Sequence, residues 1–330
     1  GVSKMEGKTT EALMDLIRDK HGIEIRGSEH ELDLLTMGYF HGYKGYRFIK
    51  QSDNRIPYKS FDEVIAVYQF DTEVKNLFYP YIMQIETALK NITLNTIIRI
   101  GSADFTYVFE NLLNDYEKHK PGSSSYKKKM KNRFAVRNKV YSTISQQYQA
   151  NQAVIQHFIH QNKPVPLWAI FEVMNLGDFG FFVHCLNEEA RKELTKDLSI
   201  DHEAHDRKGR VLEDIIFIIR DFRNAVAHNG VVFDVRFQNH RPTNRLFSLL
   251  EAETGIKEIN LEQITDYLIL HLFILEKIGA SKKECRRLLR RFFILTERLK
   301  KEIPENIYDE ILGEDHVSKL KHLQSHIKLS

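Results

Sequence analysis

Residues 210–228, RVLEDIIFIIRDFRNAVAH, decide how the chain is read. Val211, Leu212, Ile215, Ile216, Ile219, Phe222 and Val226 recur at intervals that put apolar side chains on one face of an α-helix. The run closes in Arg223-Asn224-Ala225-Val226-Ala227-His228 and meets Asn229-Gly230, which marks a helix end. A permanently charged guanidinium and an imidazole, the side chain that ordinarily titrates nearest neutrality, therefore share that end. Ideal helix geometry places Asn224 and His228 one turn apart on one face, with Arg223 beside them.

That box suits phosphodiester chemistry on RNA. An arginine fork can hold two phosphoryl oxygens and favour the extra negative charge of a pentacoordinate transition state. His228 can move a proton from the 2′-OH or toward the leaving 5′ oxygen, and the Asn224 amide can orient imidazole or phosphate. None of these steps needs a metal or other cofactor. Transesterification gains from a base on one side of the phosphate and an acid on the other, yet the chain has one box. A homodimer whose two Arg223/His228 sites face across a two-fold axis would supply both. DNA, lacking the 2′-OH, is excluded as substrate. The ordinary alternative is that arginine and histidine near a helix C-terminus complement its dipole and satisfy its carbonyls.

Outward from this helix, the pattern stays helical. Helices are expected from Thr10 to about Lys20, from Ser28 to Leu35, from Ser60 to Phe70 and from Asp71 to Ile100, the last with Glu86 and Lys90 as an i,i+4 pair. Ser60 with Glu63 and Ser281 with Glu284 have capping-box spacing. Gly38, Gly42 and Gly45 alternate with Tyr39, Tyr43, Tyr46 and Phe48, a set suited to core packing or, if exposed, to stacking on bases. Pro121-Gly122-Ser123-Ser124-Ser125 has a connector's composition. After it, Lys127, Lys128, Lys129, Lys131, Arg133 and Arg137 form a basic tract, either a phosphate-contacting RNA surface or simply a solvated helix. Pro166 starts a helix that Gly177 is placed to end, a second apolar segment covers Phe179 to Leu186, and Glu188 to His205 reads as charged and exposed. A short irregular or β-like excursion through VVFDVRF precedes helices near Leu261–Ile278 and Ser281–Lys300, and Pro304 starts a last one. The chain is thus expected to be one all-α body. Within it lie an N-terminal helical lobe over 1–120, a basic loop and helix over 121–140, a core over 160–300 and an extension over 301–330.

Composition sets outer bounds. The 330 residues are 42% hydrophobic and 28% charged, as in a folded domain rather than a disordered chain. A net charge of +3 does not by itself announce a nucleic-acid partner. No apolar stretch is long enough to span a membrane, and GVSKMEGKTTEAL lacks a signal peptide's apolar core, so a cytoplasmic setting is expected. Cys185 and Cys285 stand far apart and form no metal-binding spacing, so they read as ordinary thiols.

RNAVAH has the Arg-x4-His form of the HEPN ribonuclease motif, with a polar residue directly after the arginine. Three further blocks, LLTMGYFHGYKGYRF, YQFDTEVKNLFYPYIMQIETALKN and VPLWAIFEVMNLGDFGFF, occur in the order that resembles the Abi-like family of abortive-infection proteins. The resemblance covers about residues 30 to 230. It implies a HEPN-type helical bundle and metal-independent RNA cleavage by paired sites, leaving 2′,3′-cyclic phosphate and 5′-hydroxyl ends. It implies a role in phage defence or as a toxin, with an RNA or protein antitoxin as a further partner. It makes Arg223 and His228 catalytic, with Asn224 as the motif's polar residue. Glu172 matches the acidic position of a W-x3-E block, where a structural ion pair with an arginine of the 210–227 helix is the equal alternative. Asn229 joins Glu172 as a supporting residue. After the histidine, family members often carry a further histidine or polar residue and a W-N-R-like segment, whereas this chain has Asn229-Gly230-Val231-Val232-Phe233-Asp234-Val235-Arg236. An RNA-binding regulator with weak or triggered cleavage, and a helical adaptor with no RNA affinity, are the rival functions.

Overall fold

The computed structural model describes residues 6–329, so the first five residues of the leading segment read above for targeting lie outside it. Along the chain run α1 (Thr10–Asp19), α2 (Gly27–Met37), α3 (Phe61–Ile100), α4 (Phe105–Asn111), α5 (Ser124–Gln149), α6 (Ala153–His160), α7 (Leu167–Val173) and α8 (Leu176–Cys185). There follow α9 (Glu188–Asp197), α10 (Val211–Ala227), α11 (Asn244–Thr254), α12 (Ile264–Lys277), α13 (Lys282–Glu302), α14 (Glu305–Leu312) and α15 (His316–Leu329). The described residues are all-helical with no sheet, as expected. Two isolated bridges, Glu24 with Ser60 and Phe48 with Arg55, are the nearest approach to strand pairing among them.

Two helices organise the rest. Every residue of α12 from Ile264 to Leu275 is buried, the pattern of a helix surrounded by others rather than lying on a surface. α3 is a 40-residue rod, about 60 Å long at 1.5 Å per residue, that packs on α7, α9, α10, α12 and α13. α8 fits between α5 and α10, and it approaches α10 through Gly180. A Cβ built at Gly180 would come within 2.9 Å of both the Ile216 and Phe217 side chains, so any larger residue would push α8 off α10. One hydrophobic core runs from Met14 to Ile327 through the segments read as separate lobes.

The glycine-aromatic segment near the start serves packing. Tyr43 and Tyr46 are buried, and Tyr46 stacks on Phe233 with ring centroids 5.8 Å apart. Gly42 permits its turn, because a Cβ there would lie 2.2 Å from the Met37 carbonyl oxygen.

Four expectations are corrected. The helices placed on either side of residue 70 are one, since Asp71 lies inside α3 instead of starting a new helix. Pro80 also lies inside α3, at an exposed position where water can take the carbonyl that proline leaves unpaired. Gly177 does not end a helix. α7 stops at Val173, and Gly177 sits in the first turn of α8, whose start is capped by Asn175 accepting from the Asp178 N–H (2.8 Å). The 188–205 segment is only partly exposed: α9 buries Ala190, Leu194 and even Arg191, whose guanidinium reaches the Lys208 carbonyl and Asp115. α11 was not anticipated at all. Ser281 caps α13 as read, accepting from the Glu284 N–H, and Pro304 does stand before a helix, but α14 is not the last one because α15 follows it. Ser60 precedes α3 without a side-chain bond, and Glu63 instead accepts from the Lys59 N–H.

The excursion after α10 is irregular, and its hydrogen bonds explain why. Asp71 Oδ1 accepts from the Val232 and Phe233 N–H groups (2.7 and 2.8 Å), and Asp221 Oδ2 from those of Asn239 and His240 (2.8 and 2.6 Å). Asp234 accepts from the Lys50 N–H and Arg236, while Asp214 holds Thr243 and Arg245. All four carboxylates are buried. Donors that a strand would pair with a neighbouring strand are taken by side chains instead.

Candidate active site

α10 ends in a capped C-terminus made from backbone alone. Gly230 N–H donates to the Ala225 carbonyl (2.7 Å) and Asn229 N–H to that of Val226 (3.4 Å), with Asn229 in the left-handed region at φ 55°. The His228 N–H takes the Asn224 carbonyl at 3.0 Å. The Asn224, Ala225 and Val226 carbonyls are therefore satisfied without help from the Arg223 or His228 side chains. Asn224, Ala227, His228 and Asn229 are exposed, and Arg223 is half-buried.

The supports come from α3. Asp71 Oδ2 receives the Tyr46 hydroxyl (2.6 Å) and pairs with Lys75 Nζ at 3.1 Å, and both members of the pair are buried. Lys75 then donates to Asn229 Oδ1 (2.8 Å) and to the Gly230 carbonyl (3.1 Å). Asn229, expected as a supporting residue, is thus fastened to α3 by its side chain. About three turns further on, Glu86 Oε2 lies 3.6 Å from Arg223 Nε, an ionic approach longer than a hydrogen bond. Both atoms are buried, and neither has a hydrogen-bond partner. Glu86 Oε1 pairs with Lys90 (3.3 Å), which also donates to the Met174 carbonyl, tying α3 to the link between α7 and α8. Burial draws the Lys90 ammonium below its ordinary pKa against the opposing pull of Glu86.

Among the described residues Arg223 makes no hydrogen bond, so Glu86 steadies one side of the guanidinium and both terminal nitrogens have no protein acceptor. His228 and Asn224 likewise engage no partner with their side chains. Glu172 is exposed on α7 and pairs with no arginine among the described residues; its charge acts on Lys90 instead. The carboxylate facing Arg223 is Glu86, which the sequence showed only as half of an i,i+4 pair.

The basic tract is the first half of α5 and stands apart from this site. Lys127, Lys128, Lys131 and Arg137 are exposed, and Lys129 is half-buried. Arg133 is turned inward, donating to the Phe109 carbonyl with its guanidinium 3.7 Å from the Phe109 ring centroid. Arg137 lies over the Phe109 and Phe134 rings.

A family model described as Abi-like protein matches residues 33–234, which take in the rod, α10 and the exposed box. The chain belongs to that family, which is associated with abortive infection. No curated protein and no solved structure matches it. No helix among the described residues is long and apolar enough to cross a membrane.

Proposed function

We propose that the protein is a HEPN-type endoribonuclease of phage defence, or a toxin, that cleaves RNA in the cytoplasm by attack of the 2′-OH on the adjacent phosphate. The observation that carries this reading is the idle pair at the end of α10. The Arg223 and His228 side chains do not cap the helix, and neither is hydrogen-bonded among the described residues, although a buried polar atom such as Arg223 Nε usually finds a partner. The adaptor reading, in which the box only finishes a helix, draws no support from hydrogen bonds at this end.

On this reading, the terminal nitrogens of Arg223 take the phosphoryl oxygens, with Glu86 positioning the guanidinium from behind. His228 transfers the proton, and Asn224 orients the phosphate or the ring. The products carry a 2′,3′-cyclic phosphate and a 5′-hydroxyl, and the steps require no metal. One chain supplies one such pair on an exposed helix end, which suits a two-fold dimer presenting both across a cleft. An RNA or protein antitoxin is the expected restraint. The second reading, an RNA-binding regulator with weak or triggered cleavage, draws on Lys127, Lys128 and Lys131, which are exposed and have no carboxylate partner among the described residues. The test is cleavage of a mixed-sequence RNA in excess EDTA by wild type and His228→Ala, with end-group analysis and circular dichroism. Cyclic-phosphate ends lost in a folded variant support the nuclease. No cleavage by the wild type, together with salt-dependent RNA binding, leaves the regulator.

A further inference from the structure

At the opposite end of α10 lies a cleft of about 310 Å³ lined by His119, Ser125, Lys128, Lys129, Asn132, His184 and Arg210. Its cations differ in how they are matched. Arg210 donates to Glu213 Oε1 (2.9 Å) and to the His184 carbonyl, and the same Glu213 carboxylate also holds the His184 ring. Asp115 in the adjoining hollow is engaged by Arg191 and Lys118. That leaves the Lys128 and Lys129 ammonium groups with no hydrogen bond or ion pair among the described residues. Lys129 is half-buried, and its position is electrostatically unfavourable: burial lowers its pKa, Arg210 lowers it further, and the Asp115 charge only partly opposes them. A group held in that state gains from a bound anion.

We propose that this cleft receives a phosphate monoester, either the terminal phosphate of an RNA or that of a free nucleotide. Charge selects the monoester. It carries close to two negative charges near neutral pH, matching two unpaired ammonium groups, whereas an internal phosphodiester carries one. The Arg210 guanidinium and the neighbouring histidines add directional donors around the phosphate oxygens. α8 packs along α10 between the cleft and the box. α8 presents Asp178, Phe181 and His184 along one side, where Lys139 bonds Asp178 (3.1 Å) and lies over the Phe181 ring. Further on, the Arg220 side chain packs on Gly177. The cleft and His228 are separated by about 27 Å along α10, a span that an RNA of several nucleotides can cover.

The proposal deepens the nuclease reading without depending on it, because its test reads binding alone. Affinities of a short RNA bearing a 5′-phosphate, its 5′-hydroxyl twin and adenosine 5′-monophosphate are measured in a His228→Ala background at fixed ionic strength. The phosphorylated RNA is expected to bind about tenfold more tightly than its twin. Lys129→Gln should abolish that gap, Lys128→Ala should narrow it, and Lys283→Ala, exposed on α13 and outside the cleft, should leave it intact. Adenosine monophosphate binding as tightly as the phosphorylated RNA, and lost in Lys129→Gln, assigns the cleft to free nucleotides. The proposal is overturned if no phosphate-dependent binding appears in either arm, or if folded Lys283→Ala and Lys129→Gln weaken it equally. Failure of the wild type to cleave RNA would sink the nuclease while leaving this result to stand.

Discussion

The last turn of α10 and the loop that follows it are neighbours in sequence and opposites in bonding. Around the loop, four buried aspartates, Asp71 from α3, Asp214 and Asp221 from α10 and the loop's own Asp234, take N–H groups, a hydroxyl or cationic partners, and Lys75 reaches out to the Asn229 side chain. In the last turn itself, the side chains of Arg223, Asn224 and His228 have no hydrogen-bond partner among the described residues, with Glu86 standing 3.6 Å from Arg223. The difference separates two uses of polar residues. Where the partners are complete, the groups fix a shape; where they are missing beside such a fixed shape, the groups are ready for something from outside.

Removing a partner from the complete side should have the largest effect. Asp71→Ala leaves the buried Lys75 ammonium unpaired and two N–H groups without an acceptor, and is expected to cost about 3–5 kcal/mol in urea unfolding. RNA cleavage should fall with it, because the loop no longer holds the end of α10. A loss under about 1 kcal/mol would show that the loop does not depend on this carboxylate. His228→Ala, on the idle side, should do the reverse. Cleavage drops by about 10²–10⁴-fold while the unfolding midpoint stays within about 0.5 kcal/mol of wild type. Equal damage to stability would erase the contrast between the two regions.

A second histidine sharpens the contrast through pH. His271 is wholly buried on α12 against Phe78 and Phe222, and burial lowers its pKa from the ordinary 6.5 to about 4. The unfolded chain takes up this proton first, so the stability at neutral pH declines as pH falls from 6.5 toward 4, by up to about 1.4 kcal/mol per unit. Denaturation at pH 7 and pH 5 should show the decline in wild type and a shallower one in His271→Leu. The smallest effect is expected for Glu86→Gln, which removes the charge behind Arg223 but keeps its shape. Cleavage should fall by about tenfold with little change in RNA affinity, separating positioning from binding. An unchanged rate would mean that Arg223 needs no support from α3.

How much of this could be read from the chain followed the range of the interactions. α10 was legible because its apolar period and its Asn229-Gly230 stop are local, and the box at its end was legible as residue types. The rod was misread at Asp71 because an aspartate among apolar residues looks like a helix boundary, whereas its acceptors serve N–H groups more than 160 residues away. Gly177 looked like a stop because its actual role, contact with Arg220, depends on another helix. Glu86 was visible only through its neighbour Lys90, since nothing in the linear order connects it to Arg223. Arg133 resembled its basic neighbours, and only packing against Phe109 turns it inward.

The 40-residue rod also acts as a gauge. Lys75 sets where the post-helix loop sits and Glu86 sets where Arg223 sits, so the number of residues between them is itself a specification. Adding one residue in that interval would turn Glu86 by about 100° and advance it about 1.5 Å while leaving the rod helical. Substitutions can be absorbed there as long as helix is kept, as exposed Pro80 shows, but a change of length moves the two fittings out of phase. The same insertion in the turn before α5 would disturb no such measurement.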